Sequence, residues 1–543
     1  MVFRTVTTSA VILVGLAVLG AVAGPQWNPD PVTDHLQPAT PDTTINGADP
    51  ASVDDGTIGA VGQFDVVETA LTIPLDGAEV NGMLRQPVDE EGEVLDDRAG
   101  VVFVHGAGTG LSTQAFRQAA TQLASAGVVT LVPDKRLDTY STRDRDYVAM
   151  ASDYLRSVDL LREVDGVDPD RVGAYGESEG TWIVPIMQVE DPEIAFTVLV
   201  SAPVVPPREQ AAFAVDNYLR NTGVPAQVFR AIPRAVGMQL PGGGFDYVDF
   251  DVRPWLERQT APVLMAYGTA DPSMPIEQGA RQVIADTAIN GDSAPVTVRY
   301  YEGANHGINV PTDEGFRLHP DFARDVATWI QGLPGTAEAL PRVAGDFPDQ
   351  LYLASAVPQP RWWGNGDIVI GAVLAGCALL VVGPLVMGVD LVVRRLARRR
   401  AVGLGPRLAP GLRWALLGLG AGSVATIVAL VVYLVAVARL ALDYERDDLV
   451  VQGGWVGVRL LGVAAAVAGA LVVQRAADAR AARRAALTGA AEARERGEAV
   501  ALPAAAFGIA RGWSAYLAFW CVVVGSLALL TTLAYWGVYQ LGI

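Results

Sequence analysis

Gly176-Glu177-Ser178-Glu179-Gly180 is preceded by Asp170-Arg171-Val172-Gly173-Ala174-Tyr175 and followed by Thr181-Trp182-Ile183-Val184-Pro185. The order reads as a short buried strand, a sharp turn with serine at its apex, and the start of a helix. Such a G-x-S-x-G turn holds serine in a strained backbone conformation, and its two glycines let strand and helix approach. The hydroxyl then stands clear of the sheet. The N–H of Glu179 falls at a helix N-terminus, where it can stabilise an oxyanion. Alone the pentapeptide is a weak signal, because glycine and serine are common; its neighbours strengthen it.

Upstream, Val101-Val102-Phe103-Val104 runs into His105-Gly106-Ala107-Gly108, which reads as a central strand and a glycine-punctuated loop. That loop can lend a second oxyanion donor, from about Gly106 or Ala107. Downstream, histidine is scarce: the chain has four, His35, His105, His306 and His319. His105 precedes the serine and reads as a structural loop residue. His35 lies in a Pro/Thr/Asp-rich stretch expected to be unpacked, and His319 lies just before a helix. His306 follows the strand-like Val296–Tyr301 in the loop Glu302-Gly303-Ala304-Asn305-His306-Gly307, so it is the candidate general base. Between serine and histidine, Pro262–Tyr267 supplies a strand and Asp271-Pro272 a turn. An Asp-Pro pair is often only a turn former. The order Ser178, Asp271, His306 instead suggests a carboxylate that orients the imidazole so that it can deprotonate the serine.

With these residues in place, the segment from about 65 to 334 resembles the α/β-hydrolase superfamily, in particular secreted serine esterases and dipeptidyl-peptidase-like relatives. Val167-Asp168-Pro169-Asp170-Arg171-Val172 is similar to the approach to the serine turn in those relatives. The resemblance implies an α/β-hydrolase fold with Ser178, Asp271 and His306 as catalytic residues and the N–H groups of Ala107 and Glu179 as the oxyanion hole. Two departures stand out. Gly180-Thr181 replaces the Gly-Gly of many relatives, and Asp134–Ser141 lacks both glycines of their "D-x-R-G-x-G-x-S" loop. Glu177 and Glu179 flank the serine. They suggest either capture of a cationic group or, more simply, a helix-dipole partner at Glu179 and an outward-facing Glu177.

Strand-like segments near 65–74, 78–85, 101–104, 128–132, 171–175, 196–201, 263–267 and 296–301 alternate with helical patterns near 112–126, 147–163, 276–288 and 320–332. This alternation predicts a mostly parallel sheet covered on both faces, with an antiparallel edge where the first two strands adjoin. Residues 203–258, rich in aromatics and prolines, are expected to insert as a lid within a hydrolase domain spanning 61–334.

The remainder points to a membrane. A mean hydropathy of +0.28 is too apolar for a wholly soluble protein. The cause is four long apolar runs near 367–393, 412–438, 454–474 and 513–541, each long enough for the roughly 20 residues that cross a hydrocarbon core. A four-helix transmembrane domain over 367–543 is therefore expected. Trp362, Trp363, Trp455, Trp513 and Trp536 sit near run ends, as interfacial anchors do. Residues 1–24 read as a signal peptide or an uncleaved signal anchor, and 25–60 and 335–366 as linkers. Arginines crowd the first connection (Arg394 to Arg413) and the third (Arg475 to Arg511), whereas Asp443–Asp448 is acidic. Positive-inside logic places the arginine loops in the cytoplasm and the hydrolase domain, the acidic loop and Ile543 outside.

Both cysteines, Cys377 and Cys521, fall in apolar runs, and neither a metal site nor a cofactor is expected. A net charge of −19 argues against a nucleic-acid partner. The sequence does not name a protein partner for the transmembrane region. The expected function is a multi-pass, membrane-anchored extracytoplasmic hydrolase that cleaves a small-molecule or lipid-like carboxylic ester. A peptidase or acyltransferase with the same residues, or a catalytically silent receptor domain, are the alternatives.

Overall fold

In a computed structural model the described residues are 2–48, 58–108, 110–221, 223–239, 244–289, 294–358, 365–396, 407–442, 445–497 and 504–540. Trp362, Trp363, Arg398, Arg399, Arg400, Asp443 and Ile543 lie outside them. The chain divides into two compact units, one of Asn28–Asn217 with Gly244–Ala356, the other of Met1–Trp27, Tyr218–Gly243 and Val357–Ile543.

The first unit holds a nine-stranded sheet: β1 (Asp65–Leu75), β2 (Ala78–Val88), β3 (Arg98–Val104), β4 (Val129–Pro133), β5 (Val167–Glu177), β6 (Thr197–Val200), β7 (Val263–Gly268), β8 (Val296–Tyr301) and, beyond the short hairpin of β9 (Asn309–Thr312) and β10 (Gly315–Leu318), β11 (Val343–Gly345). The order is β1-β2-β4-β3-β5-β6-β7-β8-β11. All neighbours are parallel except β1 with β2 and β2 with β4. This is the α/β-hydrolase sheet with the antiparallel edge that the close spacing of β1 and β2 predicts.

β3 shows why the centre must be parallel and doubly covered. Val102 and Val104 enter one core cluster while Val101 and Phe103 enter the other. A strand apolar on both faces is stable only where helices cover both. Tyr147–Arg162, Gly180–Glu190 and Ile276–Thr287 contribute to the first cluster; Arg117–Ser125 and Phe322–Gln331 contribute to the second. Asp146 starts one of these helices by accepting hydrogen bonds from the N–H groups of Val148 and Ala149.

Three expectations are revised here. The described parts of 25–60 and 335–366 are not free linkers. Ala39 and Thr40 bond to Val343 and Gly345, Arg299 donates to the Thr43 carbonyl, and Ile45 is buried in the core. The reason is the open edge of β8, whose unpaired backbone groups need a partner. β11 pairs with it, and Ala39 and Thr40 bond in turn to the backbone of β11. His35 is packed as well, with Nδ1 3.0 Å from Glu277 Oε1. The insertion 203–258 is not one lid. Tyr247, Phe250 and Trp255 pack on the sheet unit, whereas Tyr218–Gly243 groups with the apolar helices. There the buried Arg234 donates to the carbonyls of Gly20 and Tyr535. Both carbonyls lie in the last turns of helices, where no intrahelical donor is available.

In the second unit, five helices among the described residues are long and apolar enough to cross a membrane: Phe3–Ala23, Gly366–Leu396, Leu412–Leu440, Leu449–Glu495 and Trp513–Tyr535. The second and fifth cross closely at Gly376 and Gly525, where a Cβ on either would strike the other's carbonyl oxygen at 3.0 or 2.6 Å. Small residues allow such contact where lipid supplies no hydrophobic drive. The first helix belongs to this unit: Thr5 Oγ1 donates to Gln474 Oε1 at 2.9 Å, Leu16 is buried, and a Cβ on Gly20 would strike the Ala534 carbonyl.

Candidate active site

The C-terminal ends of the parallel strands carry the site. Ser178 follows β5 with φ +54°, the left-handed conformation expected of the serine turn. A side chain is tolerated there only where its surroundings enforce it. Ser178 N–H donates to the Val200 carbonyl, and its own carbonyl accepts from Thr181 N–H and Oγ1. The flanking glycines are required by close approach. A Cβ on Gly180 would lie 2.4 Å from the Val104 carbonyl oxygen, and one on Gly176 would lie 2.7 Å from that of Gly180.

Asp271 and His306 are brought together from the loops after β7 and β8. His306 Nδ1 is 2.8 Å from Asp271 Oδ2. The Asp271 side chain is fully buried, whereas 29% of the His306 side chain is exposed. Burial alone would raise the Asp271 carboxyl. The charge of His306 and hydrogen bonds from His306 and Ser273 outweigh it and hold the carboxyl below the usual range. Burial would lower His306, but the Asp271 charge and hydrogen bond, helped by Glu177, leave it raised. With an ionised carboxylate facing Nδ1, that nitrogen carries the proton and Nε2 is free to accept one.

Ser201 and Ser273, absent from the sequence expectations, complete this arrangement. Ser201, next to the residue that holds Ser178, donates Oγ to the His306 carbonyl at 2.6 Å. Ser273 Oγ donates to Asp271 Oδ1 at 2.6 Å. Ser201 and Ile308 also have positive φ, +50° and +54°. Left-handed backbone thus recurs at the strand ends that carry the candidate site.

The loop after β3 approaches the serine from the other side. A Cβ on Gly106 would come within 3.3 Å of Ser178 Cβ. His105 is a structural residue, as expected: buried, with Nε2 2.6 Å from the Pro133 carbonyl oxygen and a pKa lowered to about 4 by burial. His319 is structural too, its ring tilted against Tyr301 and its Nδ1 accepting from Asp321 N–H.

Glu179 is neither a substrate ligand in waiting nor a simple dipole partner. Its buried carboxylate receives Lys135 Nζ at 2.9 Å, Tyr140 OH at 3.0 Å, Arg145 Nη1 at 2.5 Å and Tyr147 OH at 3.3 Å. Burial pushes the Tyr140 hydroxyl up to about 12, and it lowers Lys135 against the pull of Glu179. The Arg145 guanidinium also lies over the Tyr247 ring, 4.3 Å from its centroid. Sequence reading missed this cluster, although Lys135 is the chain's single lysine. It stands in the loop that departs from the resembled glycine pattern. Glu177 differs from Glu179: burial raises its carboxyl, and it faces a cavity of about 510 Å³ lined also by Gly106, Ala107, Gly307 and Asn309.

Residues 114–331, less than half the chain, match the prolyl oligopeptidase family. No curated protein sequence matches the chain. Among solved structures, similarity extends to a proposed dipeptidyl aminopeptidase IV from Bacteroides ovatus (15% identity, 50% of this chain and 36% of that one, TM-score 0.33). It extends also to Est1E from Butyrivibrio proteoclasticus (18%, 48% and 96%, 0.31) and to a puromycin-hydrolyzing peptidase from Mycobacterium tuberculosis (18%, 53% and 41%, 0.35). The chain thus spans about a third of the length of the first of these. The family match and the residues at the strand ends support a hydrolase of the serine type.

Proposed function

We propose that this chain is a membrane-anchored extracytoplasmic serine hydrolase that cleaves carboxylic esters through an acyl-enzyme. The observation that carries the reading is the Asp271–His306 hydrogen bond, linked through Ser201 on the His306 carbonyl and Val200 on the Ser178 N–H to a serine held at φ +54°. Ser178 Oγ attacks the acyl carbonyl as its proton passes to His306 Nε2, while Asp271 keeps the imidazole oriented and stabilises its cation. The N–H groups of Ala107 and Glu179 receive the oxyanion. Collapse expels the alcohol, which takes the proton from His306. Water then attacks the acyl-enzyme by the same route and releases the acid.

A peptide or aminoacyl amide is the second reading, favoured by the prolyl oligopeptidase match over residues 114–331. The two substrates share every step up to the leaving group. Purified full-length protein assayed on esters of graded acyl length beside aminoacyl amides separates them, with fluorophosphonate labelling as the check for an active serine. Absence of labelling together with absence of turnover on either series would leave a silent receptor domain as the better account.

A further inference from the structure

At the end of the helical unit where the arginines gather, two short strands, Arg407–Leu408 and Ala510–Arg511, pair antiparallel. Their register sets Arg407 directly opposite Arg511. Like charges in that relation repel, so a chain under no other demand would place an acid or a neutral residue at one of them. Arg475, from the helix Gly454–Glu495, lines the same cavity of about 440 Å³. The turn at Gly411, with φ +76°, admits it: a Cβ there would stand 3.2 Å from Arg475 Nε. Among the described residues the cavity wall offers one carboxylate, Asp478, and neither Arg407 nor Arg475 has an ion-pair partner. The Arg511 guanidinium lies over the Phe507 ring, and Leu408 and Pro410 add apolar wall.

We propose that this cavity binds the phosphate group of an anionic membrane phospholipid. Planar guanidinium forks match phosphate oxygens in pairs, and an anion held by Arg407 and Arg475 supplies the counter-charge that neither finds among the described residues. Depth favours a lipid over a soluble phosphate. Trp414 and Trp513, 65% and 63% exposed, stand at the starts of the adjoining apolar helices, where tryptophans mark the headgroup level. The mixed lining of guanidinium and apolar groups suits a headgroup continuing into glycerol and acyl chain. Basic pockets at helix ends are established lipid headgroup sites in general.

The test uses the full-length protein in nanodiscs of phosphatidylcholine alone or with phosphatidylglycerol, read by lipid retention in native mass spectrometry and by thermal unfolding. Phosphatidylglycerol should be retained and should raise the unfolding temperature, and Arg407→Gln or Arg475→Gln should each weaken retention roughly fivefold. Asp478→Asn removes the opposing charge and should strengthen retention, which guards against an arginine variant that fails to fold. Inorganic phosphate at millimolar concentration should compete only weakly. Equal retention of the two lipids, retention unchanged in all three variants, or binding of inorganic phosphate without the lipid would each overturn the proposal. None of these readouts depends on hydrolysis, so the site stands or falls separately from the proposed activity.

Discussion

Lys135 Nζ lies 2.9 Å from Glu179 Oε2, both side chains being 1% exposed, and the same ammonium donates to the Gly106 carbonyl. One cation thereby bonds the carbonyl of the peptide whose N–H, at Ala107, is one proposed oxyanion donor, and the side chain of the residue whose N–H is the other. In a trans peptide C=O and N–H point opposite ways, so fixing the Gly106 oxygen aims the Ala107 N–H away from Lys135. The N–H of Glu179 is the second proposed donor.

Lys135→Met should therefore lower kcat by about 10²-fold, near the effect of losing one oxyanion donor, with little change in KM. Arg145 remains on Glu179 at 2.5 Å, so the carboxylate keeps a counter-charge and the variant should fold. Steady-state kinetics beside a thermal melt checks this. A kcat equal to wild type would show the lysine to be structural only.

Ser178→Ala should abolish turnover and fluorophosphonate labelling while leaving the unfolding temperature near that of wild type. The loss is expected on the order of 10⁶-fold, the scale known for a serine protease nucleophile. Ester hydrolysis surviving in a clean preparation would remove Ser178 from the mechanism.

His306 must be neutral to accept a proton, and its pKa is raised by Asp271 and Glu177 acting against burial. The rate should therefore fall as pH drops through a value above the ordinary imidazole pKa of about 6.5. Glu177→Gln removes one of the two anionic neighbours and should move this acid limb to lower pH with only a modest loss of rate. Asp271→Asn should move it the same way and also cost about 10⁴-fold, because the tautomer is no longer fixed. The pH profile of kcat/KM in the three proteins decides, and an acid limb unmoved in Glu177→Gln would exclude that carboxylate from the electrostatics of the base.

The N-terminal helix should be retained in the mature protein. Its contacts with Gln474, Ala534 and Arg234 would be lost on cleavage after residue 23. An intact mass of protein purified from membranes should include residues 2–23. A mass lacking them would make the segment a removed signal peptide.

Topology follows from the arginine loops. After replacement of Cys377 and Cys521, single cysteines at the exposed positions Glu90 and Arg446 should react with a membrane-impermeant maleimide on intact cells, and one at Thr488 should not. Reaction at Thr488 with protection at Arg446 would invert the assignment.

The sequence alone determined what depends on local pattern. The strand spacing, the antiparallel first edge and the serine turn were legible because apolar alternation and glycine placement act within a few residues. The apolar runs were legible because a helix able to cross a membrane needs a minimum apolar length. Asp271 and His306 were proposed from their order after strands, and the structure adds their 2.8 Å contact. What required the tertiary structure were contacts between residues far apart in the chain. Nothing in the loop at Lys135 announces that Glu179 lies beside it, 44 positions on. The bonding of Ala39 and Thr40 to β11 arises from a demand, the unpaired edge of β8, that belongs to the sheet and to no single segment. The division of 203–258 between two units rests on Arg234 reaching helix-end carbonyls more than 200 and 300 positions away. A buried polar group must find its partner in space, and sequence distance places no limit on where that partner stands.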